Sequence, residues 1–173
     1  MICIRKIKRG DYPAITELID RAFRHVQHNE YLSLAEMSDS EYFTSEMSLV
    51  AEIDYHRIVG HIYLTEISID YAYPSLALVQ VAVAPEFQRL GIGSMLMENA
   101  HQKAMELGYG SVISLGGNRF LSKFGYQAVA NFGIHFPCCI VEGECLAVEL
   151  CTGALTKTNS MVDLPIGIFI AQQ

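Results

Sequence analysis

Polar and apolar side chains alternate at the start of the chain, and residues 2–7, ICIRKI, read as a strand. Asp11 stands where a helix N-cap belongs, with Pro13 in the first turn. Ile15, Leu18, Ile19, Ala22 and Phe23 then recur at helical spacing, which predicts a helix running to about His25. Residues 29–47 are polar, and one short helix is expected there. SLVAEID and RIVGHIYLTEISI are β-rich runs around DYH, so residues 48–69 read as a hairpin. LALVQVAV, residues 76–83, reads as the next strand.

From Gly91 the period changes. Ile92, Met95, Leu96, Ala100, Ala104 and Leu107 fall on one helical face, and Gly108 is a C-terminal stop. SVISL, 111–115, reads as a strand, residues 118–124 as a short helix ended by Gly125, and Glu144 to Leu150 as another strand. The tail after Gly153 carries no clear assignment. A strand–helix–strand crossover makes 76–83 and 111–115 parallel. The class is therefore α+β, an α/β mixed sheet with a largely antiparallel front half.

Composition narrows the function. With 173 residues, 51% hydrophobic and 18% charged, the chain suits one domain, 1–173, with a full core, and is no disordered chain. No apolar run reaches the ~18 residues of a membrane span, and MICIRKIKRGDYP lacks a signal-peptide core. A cytoplasmic protein without a membrane partner is expected. The net charge of −7 comes with no basic stripe, so no nucleic-acid partner is expected. The five cysteines lack metal spacing, Cys138 and Cys139 are adjacent, and free thiols follow. His25 and His28 have no third ligand nearby in sequence, so no metal is expected.

Between the strand and the helix stands PEFQRLGIGS, residues 85–94. A helix N-terminus carries unpaired N–H groups and about half a positive charge, which suits an anion. Gly91 and Gly93 let a ligand approach the backbone closely. Pro85 ends the strand, and Gln88 and Arg89 add side-chain donors at the mouth. The arrangement fits a phosphate or pyrophosphate, or on the glycines alone a simple turn. It is no P-loop, because Ser94 and Met95 follow Gly93, and no dinucleotide fingerprint, because Leu96 takes the third small position.

The longer string VAVAPEFQRLGIGSMLM resembles the acetyl-coenzyme A signature of the GNAT superfamily of N-acetyltransferases. Gln88, Gly91 and Gly93 match its Gln/Arg-x-x-Gly-x-Gly/Ala core, and Val83 and Pro85 match the Val-x-Pro that ends the preceding strand. VAEIDYHRIVGHIYL looks like the family's central hairpin, GYGSVISLGG like the strand after the signature helix, and FLSKFGY like the next helix and its exit. GHI at 60–62 with ECLAVELCTGAL at 144–155 looks like one subgroup of predicted bacterial acetyltransferases. The resemblance implies a GNAT-like fold: a mostly antiparallel sheet, a splayed parallel pair holding the coenzyme in its V, and flanking helices. It implies that amides of Arg89, Leu90, Gly91, Ile92, Gly93 and Ser94 hold the coenzyme A pyrophosphate, and that Val81, Ala82 and Val83 pair with the pantetheine arm. An N–H of Val81 or Ala82 would face the acetyl carbonyl oxygen. Acetyl-coenzyme A would be the donor, and a small-molecule or peptide primary amine would attack it directly in a ternary complex. A homodimer is the candidate assembly.

The sequence departs from that pattern at the acid. The family tyrosine that protonates the leaving thiolate stands four residues before a Gly-aromatic pair. Here Leu121 precedes Gly125 by four, Phe120 precedes Leu121, and Ser122 is the nearest hydroxyl, a poor acid. LALVQVAV offers Gln80 but no carboxylate as a base. His61, inside the strand RIVGHIYL, is the candidate to orient or deprotonate the amine, or else a packed strand residue. Alternation puts it on one face with Val59 and Tyr63. Glu52 and Glu66 suit a cationic amine or a solvated strand face, and Tyr126 reads as a packing aromatic. A catalytically weak or inactive acyl-coenzyme A-binding regulatory module is the alternative.

Overall fold

In the computed structural model, residues 1–24, 43–69, 73–114, 116, 119–136, 145–155 and 160–163 are described. They fall into two compact units. The first takes its described residues from 1–64 and 80–102, and the second from 65–79 and 103–164.

In the first unit, β1 (Cys3–Lys6) pairs antiparallel with β2 (Ser48–Ile53), from Cys3 opposite Glu52 to Lys6 opposite Leu49. A 3-10 turn at Asp54–His56 leads into β3 (Arg57–Ile69), as the β-branched runs around DYH predict. Register runs from Ser48 opposite Tyr63 to Ile53 opposite Arg57, with a shift between Ala51 and Glu52. Helix α1 (Tyr12–Ala22) buries Ile15, Leu18 and Ile19, the periodic positions expected. It stops earlier than predicted: Phe23 is its C-cap, its N–H bonded to the Ile19 carbonyl at 2.9 Å. His25, His28 and the short helix expected before Phe43 fall outside the described residues, as do Cys138 and Cys139.

Asp11 holds the N-cap position of α1 but not the capping bond. Its carboxylate accepts from the Lys8 amide at 2.7 Å, closing the 3-10 turn Arg9–Asp11, and from the Arg5 guanidinium at 2.7 and 2.9 Å. A partly buried charged donor binds that oxygen more strongly than a neutral amide does.

Helix α2 (Ile92–Glu106) follows β4 (Ser75–Val83). Ile92, Leu96, Met97, Ala100 and Ala104 are buried. Met97 replaces Met95 at the core, and Leu107 lies past the helix end, 43% exposed. Gly60 explains how closely α2 lies on the sheet. A Cβ there would stand 2.9 Å from Leu96 Cδ1 and 3.1 Å from Ile92 Cγ2.

In the second unit, β4 pairs parallel with β5 (Ser111–Ser114), as the crossover requires. β8 (Leu146–Glu149) pairs antiparallel with β5, and β6 (Gln127–Ala128) with β8. Three short strands fall outside the sequence-based assignment: β6, β7 (Ile134–His135) and β9 (Ser160–Asp163). β9 pairs antiparallel with β3 at Ser68–Ile69 and parallel with β7, so a second parallel pair joins the one expected. The result is a mixed, mostly antiparallel sheet. Among the described residues, no helix is long and apolar enough to cross a membrane.

Candidate functional site

The β4–α2 junction is built by local constraints. The parallel pairing of β4 ends at Leu78 opposite Ser114, yet β4 runs on to Val83. Along that extension Gln80 and Ala82 are buried while Val79, Val81 and Val83 are half-buried. Pro85 then opens a 3-10 turn, Pro85–Phe87, whose last amide returns to the Ala84 carbonyl at 2.8 Å. The Gln88 side-chain amide donates to the Val83 carbonyl at 3.1 Å, tying the loop to the strand end. Arg89 adopts φ 62 and Gly91 φ 86, both left-handed. At Gly91 a Cβ would meet nothing within 4 Å, so there the glycine answers a backbone demand rather than a crowded neighbour. Arg89, Leu90 and Gly91 are exposed.

The first intrahelical bond of α2 runs from the Met95 amide to the Gly91 carbonyl at 3.0 Å. The amides of Ile92, Gly93 and Ser94 precede it and have no acceptor within the helix. With the partial positive charge of the helix start, they form a donor set for an anion.

Glu86 anchors the turn. Its carboxylate accepts from Arg21 of α1 at 2.8 Å and from Arg57 of β3 at 2.6 Å. The Arg57 guanidinium also lies 5.1 Å from the centre of the Phe87 ring. The backbone amide of Glu86 itself, then Arg21, holds this carboxyl below its usual range. The Ala84 amide donates to the Val59 carbonyl at 2.9 Å, fastening the end of β4 to β3.

His61 lies in the same unit, fully buried on β3. Its Nε2 is 2.9 Å from Ser48 Oγ, and its Nδ1 has no hydrogen-bond partner among the described residues. Desolvation lowers its pKa to about 3, so the ordinary imidazole titration near 6.5 moves out of the neutral range and the ring stays uncharged. Among the described residues, Gln80 is the other buried side chain with orphaned polar atoms: neither Nε2 nor Oε1 is bonded. Each such group costs about 1–3 kcal/mol when left unpaired.

Other candidates have partners or lie elsewhere. Glu52 accepts from Arg5 at 2.6 Å and lies 2.8 Å from His56 Nδ1. Glu66 accepts the Tyr109 hydroxyl in the second unit, and burial with that carboxylate pushes the phenol well above its usual range. Leu121 is buried, and Ser122 is exposed on the 3-10 turn Leu121–Phe124 of the second unit. Tyr126 is buried, which raises its phenol pKa and suits packing. Sequence reasoning brings Val81 to Ser94 together correctly as one strand–turn–helix segment. It misses Glu86 and the Ser48–His61 contact, and it notes Gln80 only for lacking a carboxylate. A polar residue in LALVQVAV was the available signal.

The model of the Acetyltransferase (GNAT) family matches residues 12–126. No curated protein matches the chain significantly. Among solved structures, the GNAT family N-acetyltransferase YhbS from Escherichia coli, in complex with CoA, is 20% identical. It aligns over 97% of this chain and 92% of its own, with a TM-score of 0.85. A GNAT family acetyltransferase from Brucella melitensis in complex with acetyl-CoA is also 20% identical, over 96% and 97%, at 0.67. The ribosomal-protein-S18-alanine N-acetyltransferase from Escherichia coli is 16% identical, over 88% and 96%, at 0.62.

Proposed function

The chain belongs to the acetyltransferase (GNAT) family, an acyltransferase family, and on that premise we propose that it moves the acetyl group of acetyl-coenzyme A to a primary amine within a ternary complex. The observation that carries the reading is the β4–α2 junction. Its first-turn amides precede any intrahelical bond, and Gly91 leaves the backbone open above them. Arg89 to Ser94 are the proposed pyrophosphate donors, and Val81 to Val83 the proposed partners of the pantetheine arm. Two structural neighbours crystallised with CoA or acetyl-CoA support the donor's identity.

The amine nitrogen attacks the thioester carbonyl. A C–N bond forms, the C–S bond breaks, the amine gives up a proton to solvent water, and coenzyme A leaves as its thiolate. A backbone N–H at Val81 or Ala82 is the proposed donor to the developing oxyanion. His61, uncharged, is proposed on the acceptor side as a hydrogen-bonding group. Ser122, with an exposed hydroxyl, is the proposed route for a proton to the thiolate. A thiol is itself fairly acidic, so this step makes a modest demand within the ~10²–10⁴ that acid–base help supplies. One acyltransferase domain over residues 1–173, acting in the cytoplasm as a monomer or homodimer, completes the proposal.

A second reading rests on Leu121. A buried apolar side chain at the acid position suits a module that binds acyl-coenzyme A without turnover.

Coenzyme A binding tests the shared premise. At a hundred times its Kd, a ligand of the native state adds about 2.7 kcal/mol, read as a rise in Tm. Gly93→Asp brings like charge to the anion site and should remove that rise. A folded Gly93→Asp variant with an undiminished rise would refute the pyrophosphate assignment.

A further inference from the structure

The orphaned polar side-chain atoms buried among the described residues belong to two neighbours in the sheet order. They are His61 Nδ1 on β3 and both polar atoms of the Gln80 carboxamide on β4. Only residues 70–74 join these strands, too few for a parallel crossover, so they run antiparallel. In an antiparallel ladder the two residue numbers of each bond have a constant sum. Counting back from the bond between the Ala84 amide and the Val59 carbonyl sets Ala82 opposite His61 and Gln80 opposite Tyr63. Gln80 thus falls diagonal to His61 on one face, at the spacing where long side chains meet. Gly60, one residue earlier, faces α2, so alternation turns His61 and Gln80 away from that helix.

Gln80 directly precedes Val81, whose N–H this register turns away from β3 and which is therefore the oxyanion donor of the two proposed; the Ala82 N–H is taken by the β3 ladder. Gln80 lies past the last β4–β5 pair, at Leu78. It is 6% exposed, and a methionine would fill the same space without a desolvated amide. Keeping a carboxamide there, oriented by no partner among the described residues, is explained by a group that pairs with it on binding.

We propose that Gln80 recognises the acceptor. Its Oε1 accepts from the acceptor's amine N–H, and its Nε2 donates to an oxygen on the neighbouring carbon. The acceptor class is then a primary amine with a hydroxyl or carbonyl beside it, rather than a plain alkylamine. His61 Nδ1 offers a second contact to the same ligand. This rests on the acetyl-transfer reading and goes beyond it by assigning acceptor chemistry. A site built to pair with a substrate oxygen discriminates strongly against the analogue lacking it, because its own polar atoms are then left dry and unpaired.

The test uses the full chain, acetyl-coenzyme A, and three probes: ethanolamine, glycinamide and propylamine. Gln80→Met keeps the volume and Gln80→Leu serves as a second apolar variant. Each variant is compared with wild type on the same probe, so the amine's own basicity cancels. The expected result is a rise of about tenfold in KM for ethanolamine and glycinamide and a smaller rise, about twofold to threefold, for propylamine, which keeps the amine N–H contact but has no oxygen for Nε2. The Tm rise given by coenzyme A should stay as in wild type, and the free variants should melt at or above wild type. A structural glutamine would not produce that last result. Equal loss on all three probes, no loss on any, a smaller coenzyme A shift, or a lower Tm in both free variants overturns the assignment. If coenzyme A shifts wild type but no probe is turned over, the probes' added Tm shift with coenzyme A present decides by the same comparison. If coenzyme A fails to shift wild type, the acetyl-transfer reading falls, and the Gln80 assignment falls with it.

Discussion

The Nε2 of His61 and the Oγ of Ser48 lie 2.9 Å apart within the sheet, across the β2–β3 pair. The contact satisfies one ring nitrogen and leaves the ring in a fully buried site that excludes its charged form. The pKa falls from the ordinary 6.5 to about 3. Below pH 6.5 the unfolded chain takes a proton that the folded chain refuses, so stability falls with pH until the folded group titrates near 3. At pH 5 this amounts to about 2 kcal/mol. Thermal melts of wild type and His61→Gln at pH 7.5 and 5 check it. The variant should lose less Tm on acidification; equal loss in both would contradict the neutral, buried imidazole. For the same reason, turnover should show no ascending limb near pH 6.5 that His61→Gln removes.

Gly60 sets the distance between β3 and α2. Gly60→Val brings branched carbons to a point 2.9 Å from Leu96 Cδ1 and 3.3 Å from Ala51 Cβ. Overpacking of this kind costs about 1–3 kcal/mol. Urea unfolding should show a lower midpoint for the variant, together with weaker coenzyme A binding, because α2 carries the first-turn amides. An unchanged midpoint would mean that α2 adjusts freely.

Glu86 gives a prediction in which two physical effects oppose each other. Through Arg21 and Arg57 it ties the Pro85–Phe87 turn to α1 and β3. It is also a negative charge beside an anion site, and removing it frees two arginines. If its part is to position the turn, Glu86→Gln weakens coenzyme A binding. If electrostatics dominates, binding tightens. About threefold to tenfold weakening is expected by isothermal titration at 0.15 M salt, where exposed charges are largely screened beyond about 8 Å. Tighter binding would show that the ion pairs do not hold the loop.

At Gly91 the left-handed φ of 86 is the constraint, since a Cβ there meets no neighbour. Gly91→Ala should cost about 1–2 kcal/mol through backbone strain alone, read as a lower Tm in the free protein. No loss would show that the loop relaxes to another conformation.

Elements set by nearby residues were legible in the sequence. The Val-x-Pro and Gly-x-Gly spacing marks the strand–turn–helix junction, and β-branched runs around DYH mark the hairpin. Strands β6 and β7 have two residues each, too short to carry a period, and distant partners define them. Asp11 takes the N-cap position that the sequence indicates, but the capping bond does not form because Arg5, from a neighbouring strand, takes the carboxylate. Likewise the state of His61 depends on burial and on Ser48, thirteen positions away, neither of which spacing reveals. Gln80 was visible as a polar residue in an apolar run, but its unpaired state appears only once the strands are assembled.

Free-thiol release on mixing the protein with acetyl-coenzyme A and a panel of primary amines tests acetyl transfer most directly. Acetyl transfer at this site requires thiol release that depends on the amine, exceeds the amine-free rate, and disappears in Gly93→Asp. A protein whose Tm coenzyme A raises, but which releases no thiol above the amine-free rate with any amine, would contradict it and establish a binding module instead.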